Sequence, residues 1–114
     1  MKTKLFFTLL LIICISDIFS QTPQWRLLAG SPGISGISRN EDIYFMNQNT
    51  GWCVGYQGEV YRTTNGGNIW QTIFHSTFGT SFRSVGFFDS TTGLLGTLNY
   101  PEPIFYRTTN SGYN

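Results

Sequence analysis

Tyr61-Arg62-Thr63-Thr64-Asn65 returns unchanged as Tyr106-Arg107-Thr108-Thr109-Asn110, 45 residues further along the chain. The echo extends upstream: Phe45-Met46-Asn47-Gln48-Asn49-Thr50-Gly51 is answered by Phe87-Phe88-Asp89-Ser90-Thr91-Thr92-Gly93 at an offset of 42. The three additional residues fall between Gly93 and Tyr106, where Asn99-Tyr100-Pro101-Glu102-Pro103 supplies a loop for them. Trp25 and Trp70 are also 45 apart, and each opens a short apolar run. A repeat of fixed period is therefore the first property the fold must accommodate.

Each unit reads as short strands joined by turns. Residues 43–46 are apolar and residues 47–51 form a polar turn. Residues 52–55 make a second strand, closed by the tight turn Tyr56-Gln57-Gly58. Residues 59–63 are β-branched and aromatic, and Asn65-Gly66-Gly67 turns again into residues 69–74. Four strands in this span, with no helical periodicity, predict an all-β chain of four-stranded antiparallel repeats. That is the size of a β-propeller blade; a β-sandwich would show similar strands but gives no reason for a fixed period.

The turn Thr63-Thr64-Asn65-Gly66-Gly67-Asn68-Ile69-Trp70 fits the Asp-box pattern, Ser/Thr-any-Asp/Asn-any-Gly-any-Thr-Trp. The side-chain carbonyl of Asn65 can accept backbone N–H groups from the turn that follows it. Gly67 can supply a positive φ that other residues resist. Trp70 is expected to open the next strand and pack on the neighbouring unit, its indole N–H finding a carbonyl. Thr108, Asn110 and Gly112 repeat the pattern, which stops one residue before its tryptophan. These seven positions (Thr63, Asn65, Gly67, Trp70, Thr108, Asn110, Gly112) read as a fold-stabilising device carrying no acid, base or nucleophile.

Gly51-Trp52-Cys53-Val54-Gly55-Tyr56-Gln57-Gly58-Glu59-Val60, followed by the Asp-box, resembles the β-propeller family of photosystem II stability/assembly factors. The resemblance covers residues 42–114. It is specific in the first unit and weaker in the second, where Leu94 replaces Trp52 and Gly55 and Gly58 lack clear counterparts. It implies an exported propeller that serves as a protein-binding platform, without implying photosynthesis. On this reading residues 1–20 are a signal peptide, 21–41 a leading strand (25–28) and linker, 42–83 the first propeller repeat and 84–114 a truncated second one. Two blades leave an incomplete ring, so the chain is expected to be the N-terminal fragment of a longer propeller whose remaining blades are its first partners. Taken alone it is expected to be marginally stable.

The N-terminus agrees with export. Lys2 and Lys4 precede an apolar run over residues 5–15, and Ser20 offers a small residue before a cut at Gln21. The uncharged run is too short for a bilayer span, which needs roughly 20 residues, so an extracellular or periplasmic location without membrane insertion is expected. Beyond residue 20, Arg26, Arg39, Arg62, Arg83 and Arg107 balance Glu41, Asp42, Glu59, Asp89 and Glu102. Zero net charge argues against a nucleic-acid binder. Cys53, the lone mature cysteine, reads as a small buried hydrophobe, and His75 as a surface residue with no metal-binding companion. No cofactor is expected.

A non-catalytic module binding a protein or glycan is thus the leading functional expectation. The alternative is part of an Asp-box glycoside hydrolase, sialidase-like or glucan-cleaving, needing paired carboxylates or a tyrosine nucleophile with clustered arginines. Its candidates are Glu59, Asp89 and Glu102 with Arg62, Arg83 and Arg107. Arg62 and Arg107 recur at one repeat position, and Asp89 stands where the first unit has Asn47, which favours structural roles for them. The loop holding Tyr100 and Glu102 is the expected contact site, since binding in such scaffolds is carried by loops.

Overall fold

The computed structural model describes residues 24–33, 39–76, 79–98 and 104–113. Among them it is all-β: β1 (Asn40–Phe45), β2 (Gly51–Gly55), β3 (Glu59–Thr63) and β4 (Gln71–His75) form one sheet, and β5 (Phe82–Phe87), β6 (Gly93–Thr97) and β7 (Phe105–Thr108) a second. Both sheets are antiparallel meanders in chain order. β2 is buried along its whole length, which is why Gly51-Trp52-Cys53-Val54-Gly55 reads as an unbroken apolar run rather than an alternating one.

The sequence repeat is reproduced in the ladders. Phe45, Gly51 and Thr63 stand side by side in the first sheet as Phe87, Gly93 and Thr108 do in the second. Ile43–Cys53–Tyr61 matches Val85–Leu95–Tyr106, and each leading strand bulges at the same place, after Asn40 and after Phe82. The paired glycines have a steric cause. A Cβ at Gly51 would come within 2.8 Å of the Phe45 ring, and one at Gly93 within 2.7 Å of the Phe87 ring. Each aromatic ring folds over its cross-strand glycine, which leaves the room that the ring fills.

The core lies between the sheets. Tyr44, Trp52, Val54, Val60 and Phe74 of the first meet Phe82, Val85, Phe87, Leu95 and Tyr106 of the second. Trp52 stacks on Phe87 with ring centroids 3.7 Å apart, and Phe82 meets Tyr106 edge-on at 5.7 Å. Hydrogen bonds cross the same interface. Tyr44 Oη donates to the Phe87 carbonyl (3.0 Å), Trp52 Nε1 to the Ser111 carbonyl (2.9 Å), and the Val85 N–H to Asp42 Oδ2 (2.9 Å). Apolar burial supplies the attraction, and these bonds satisfy the polar groups that burial encloses.

Three expectations need correction. Residues 25–28 form no strand: Trp25 and Leu27 are exposed, Leu28 lies beside Gly67, and the segment enters no ladder. The break between sheets lies between His75 and Phe82, so a boundary at 83/84 falls inside β5. Trp70 does not bridge the units; it meets Phe45 of its own sheet edge-on at 5.9 Å. Trp52 makes the inter-sheet stack and the indole hydrogen bond in its place. Residues 1–20, Tyr100 and Glu102 lie outside the described residues.

Candidate functional site

The Thr-x-Asn-x-Gly turns close on themselves. Thr63 Oγ1 donates to Asn65 Oδ1 (3.0 Å) and accepts the N–H groups of Asn65 (3.3 Å) and Gly67 (3.0 Å), while Asn65 Oδ1 accepts the Ile69 N–H (2.9 Å). Thr108 repeats the pattern toward Asn110 (2.8 and 3.2 Å) and the Gly112 N–H (2.9 Å). Gly67 and Gly112 sit at φ of 85° and 90°, the left-handed region where a Cβ is strained. Each turn is also tied to the preceding loop of its sheet, Gly66 N–H to the Asn49 carbonyl (2.9 Å) and Ser111 N–H to the Thr91 carbonyl (2.8 Å).

Of the carboxylates nominated from sequence, Asp89 and Glu59 are engaged in local structure. Asp89 Oδ1 accepts the Thr91 N–H (2.7 Å), the Thr91 hydroxyl (2.8 Å) and the Thr92 N–H (2.7 Å), as Asn47 Oδ1 accepts the Asn49 and Thr50 N–H groups (both 2.9 Å). Those bonds, the Thr91 N–H foremost, lower the Asp89 pKa to about 2. Its unfolded value is about 3.9, so the folded state holds the proton less tightly. The resulting stabilisation is complete above that unfolded value and is lost as the pH falls through the folded one. Asp89→Asn, which installs the residue found at position 47, is expected to remove this part of the acid dependence while preserving the turn. Urea midpoints for both proteins at pH 6 and pH 2.5 check it.

Glu59 Oε2 accepts the Gln57 N–H (3.1 Å), and exposed His75 lies 3.2 Å from the Gln57 carbonyl through Nε2. Arg62 Nη1 donates to Tyr113 Oη (3.1 Å), its guanidinium 5.7 Å from the Trp52 ring centroid, while Arg107 is exposed on β7. Glu59 and Asp89 belong to turns at opposite ends of their sheets, Glu59 at the β2–β3 turn and Asp89 at the β5–β6 turn, so the structure does not bring these two carboxylates together as a catalytic pair. Among the described residues no cluster of three His, Cys, Asp or Glu converges on a metal-sized site.

Cys53 is buried, and burial, assisted by Asp42, pushes its thiol up to about 11. At pH 8 almost none is thiolate, so alkylation by iodoacetamide is expected to be on the order of a hundredfold slower in the native protein than in urea. Mass spectrometry of timed quenches measures the ratio.

What sequence reasoning missed is a charged and aromatic cluster at one end of the sheets, where β1 and β5 begin and β2 ends. Glu41 receives Arg39 Nε and Arg83 Nη1, the latter at 2.8 Å. Both guanidiniums lie over the Tyr56 ring, Arg39 at 4.5 Å and Arg83 at 5.3 Å from its centroid. Burial raises the Glu41 pKa, but the hydrogen bonds from Arg83 and Arg39 outweigh it and hold the carboxyl below its usual range. Arg83 Nε is buried without a hydrogen-bond partner. The readable clue was that Glu41 and Arg83 occupy the same repeat position, 42 residues apart with opposite charge. Tyr56 lies on the β2–β3 turn, and its repeat counterpart, the β6–β7 connection, carries Tyr100 and Glu102. Comparison with known protein families, curated proteins and solved structures gave no match.

Proposed function

We propose that this chain is an exported, non-catalytic β-propeller module of the photosystem II stability/assembly factor type, its two sheets being successive blades that serve as a protein-binding platform. The observation supporting this reading is the residue-for-residue match of the two ladders, stacked face to face about one core. Units related in this way add along one direction, and the loops at their strand ends form a composite surface.

The contact surface we assign is the end carrying Arg39, Tyr56 and Arg83, where the connection with Tyr100 and Glu102 also leaves its sheet. Aromatic and arginine side chains held together are the residue types that anchor protein interfaces. The partner is a protein that stacks an apolar or aromatic group on Tyr56 and offers a carboxylate to the guanidiniums. Residues 1–20 deliver the chain across the membrane and are removed.

The test combines N-terminal sequencing with a photo-crosslinker at Tyr56. A chain beginning at Gln21 in the medium or periplasm, with a discrete protein adduct from position 56 and none from position 64, is the expected result. Retention in the cytoplasm with residues 1–20 intact would refute export. Glycosidase activity lost in Glu59→Gln would replace the platform reading with the hydrolase one.

A further inference from the structure

Asn65 stands before Gly66, the one Asn-Gly pair in the chain, whereas its repeat counterpart Asn110 stands before Ser111. The two turns otherwise coincide. Gly66 and Ser111 sit at φ of 69° and 66°, and Gly67 and Gly112 at 85° and 90°. Each asparagine Oδ1 accepts the hydroxyl of the threonine two residues earlier, at 3.0 Å for Asn65 and 2.8 Å for Asn110. Asn65 and Gly66 are exposed, so water and hydroxide reach both. With no Cβ, Gly66 leaves its own nitrogen unhindered toward the preceding side-chain carbonyl. Ser111 places a side chain there, and its hydroxyl donates to the Ser90 carbonyl (2.6 Å).

We propose that Asn65 is a self-modification site, converted to aspartate or isoaspartate by attack of the Gly66 nitrogen, with water as the co-reactant and the rate set by opening of its own turn. The Gly66 nitrogen gives its proton to solvent base and bonds to Asn65 Cγ. The Cγ–Nδ2 bond breaks, and Nδ2 takes up a proton and leaves as ammonia. Water then opens the cyclic imide, at Cγ to give aspartate or at the backbone carbonyl to give isoaspartate. In the closed turn both reacting groups are held elsewhere. The Gly66 N–H donates to the Asn49 carbonyl (2.9 Å), while Asn65 Oδ1 accepts the Thr63 hydroxyl (3.0 Å) and the Ile69 N–H (2.9 Å). These bonds break together before nitrogen and Cγ can meet, so the conversion records local opening of the turn. Aspartate keeps an oxygen where Oδ1 stood. Isoaspartate lengthens the backbone between the Asn65 and Gly67 N–H groups that Thr63 Oγ1 accepts. Either product adds a negative charge at the end of the first sheet opposite Arg39, Tyr56 and Arg83. The inference stands on the geometry of the turn and does not depend on export or on a partner at Tyr56.

The test is peptide mass spectrometry of the chain, expressed with residues 1–20 in place, purified as the cell processes it, and incubated at pH 8 in buffer and in urea. Acid at position 65 is expected in both, appearing on the order of tenfold or more slowly in buffer, while Asn110 stays an amide over the same interval. Gly66→Ser is expected to slow conversion at position 65 on the order of tenfold or more. It reproduces the second turn: a Cβ at Gly66 lies 3.1 Å from the Gln48 carbonyl, the counterpart of the Ser90 carbonyl that the Ser111 hydroxyl bonds. Native protection of Cys53 from alkylation verifies that the variant folds, and its comparison with the wild type in urea holds whether or not it does. Ser111→Gly is expected to start conversion at Asn110. Three results overturn the inference: equal rates at position 65 in buffer and in urea, an amide at position 65 that persists in buffer long after conversion in urea is complete, or a Gly66→Ser protein that converts in urea as fast as the wild type.

Discussion

Trp52→Ala is expected to cost about 3–5 kcal/mol, the range for deleting a buried large aromatic side chain. Trp52 is fully buried, its ring lies 3.7 Å from that of Phe87, and its N–H donates to the Ser111 carbonyl across the interface. Removing it opens a cavity between the sheets and takes the donor from the half-buried Ser111 carbonyl, and neither loss is made up by rotation of Tyr44, whose hydroxyl is tied to the Phe87 carbonyl. A small two-sheet structure has total stability of the same order, so the variant is expected to lose its cooperative transition at 25 °C. Trp52→Leu installs the second sheet's counterpart residue, Leu94, and is expected to keep a transition at a lower urea midpoint. Far-UV circular dichroism against urea measures all three proteins. A loss below about 1 kcal/mol for Trp52→Ala would mean the sheets are held together elsewhere.

The second large effect is expected at Thr63. Thr63→Val preserves shape but removes the oxygen that accepts the Gly67 N–H and organises Asn65. Thr63 is 1% exposed, so water cannot take the hydroxyl's place, and an orphaned buried donor costs roughly 1–3 kcal/mol. Thr108 makes the same bonds in a half-exposed setting, and Thr108→Val is expected to cost less than about 1 kcal/mol because solvent can substitute. Thr63→Ser is expected to recover most of the loss. Equal costs at both positions would show that the effect belongs to the turn's own geometry rather than to its burial.

Much of the architecture was legible because it is local. The offsets of 42 and 45 equated Asn47 with Asp89 and Thr63 with Thr108, and the hydrogen bonds of each pair proved equivalent, since a side-chain oxygen accepting N–H groups two to four residues ahead needs nothing beyond its own turn. The burial of Cys53 and the exposure of His75 were likewise readable from their neighbours. Residues 25–28 show the limit of such reasoning. They have the composition of a strand and a tryptophan at the repeat spacing, yet a strand exists only where a partner edge completes its ladder.

The candidate site was less legible. Arg39, Glu41, Tyr56 and Arg83 come from three separate stretches of sequence, and only the stacking of β5 on β1 makes Arg83 a neighbour of Glu41 and Tyr56. The same stacking decided which tryptophan joins the units. Trp52 and Trp70 are both aromatic, both near a turn and both able to donate an N–H, and the pattern of residues alone does not rank them.

The sequence by itself thus determined the repeat, the order of the strands in the first sheet, and the self-closing turns, all built from contacts spanning a few residues. The tertiary structure decided which face of each sheet is core and which is outward, and with it the roles of Trp52, Trp70, Glu41 and Arg83. The reason is physical: alternation along a strand assigns residues to two faces but does not say which face another sheet will cover, and that choice is made by packing between residues more than 40 positions apart.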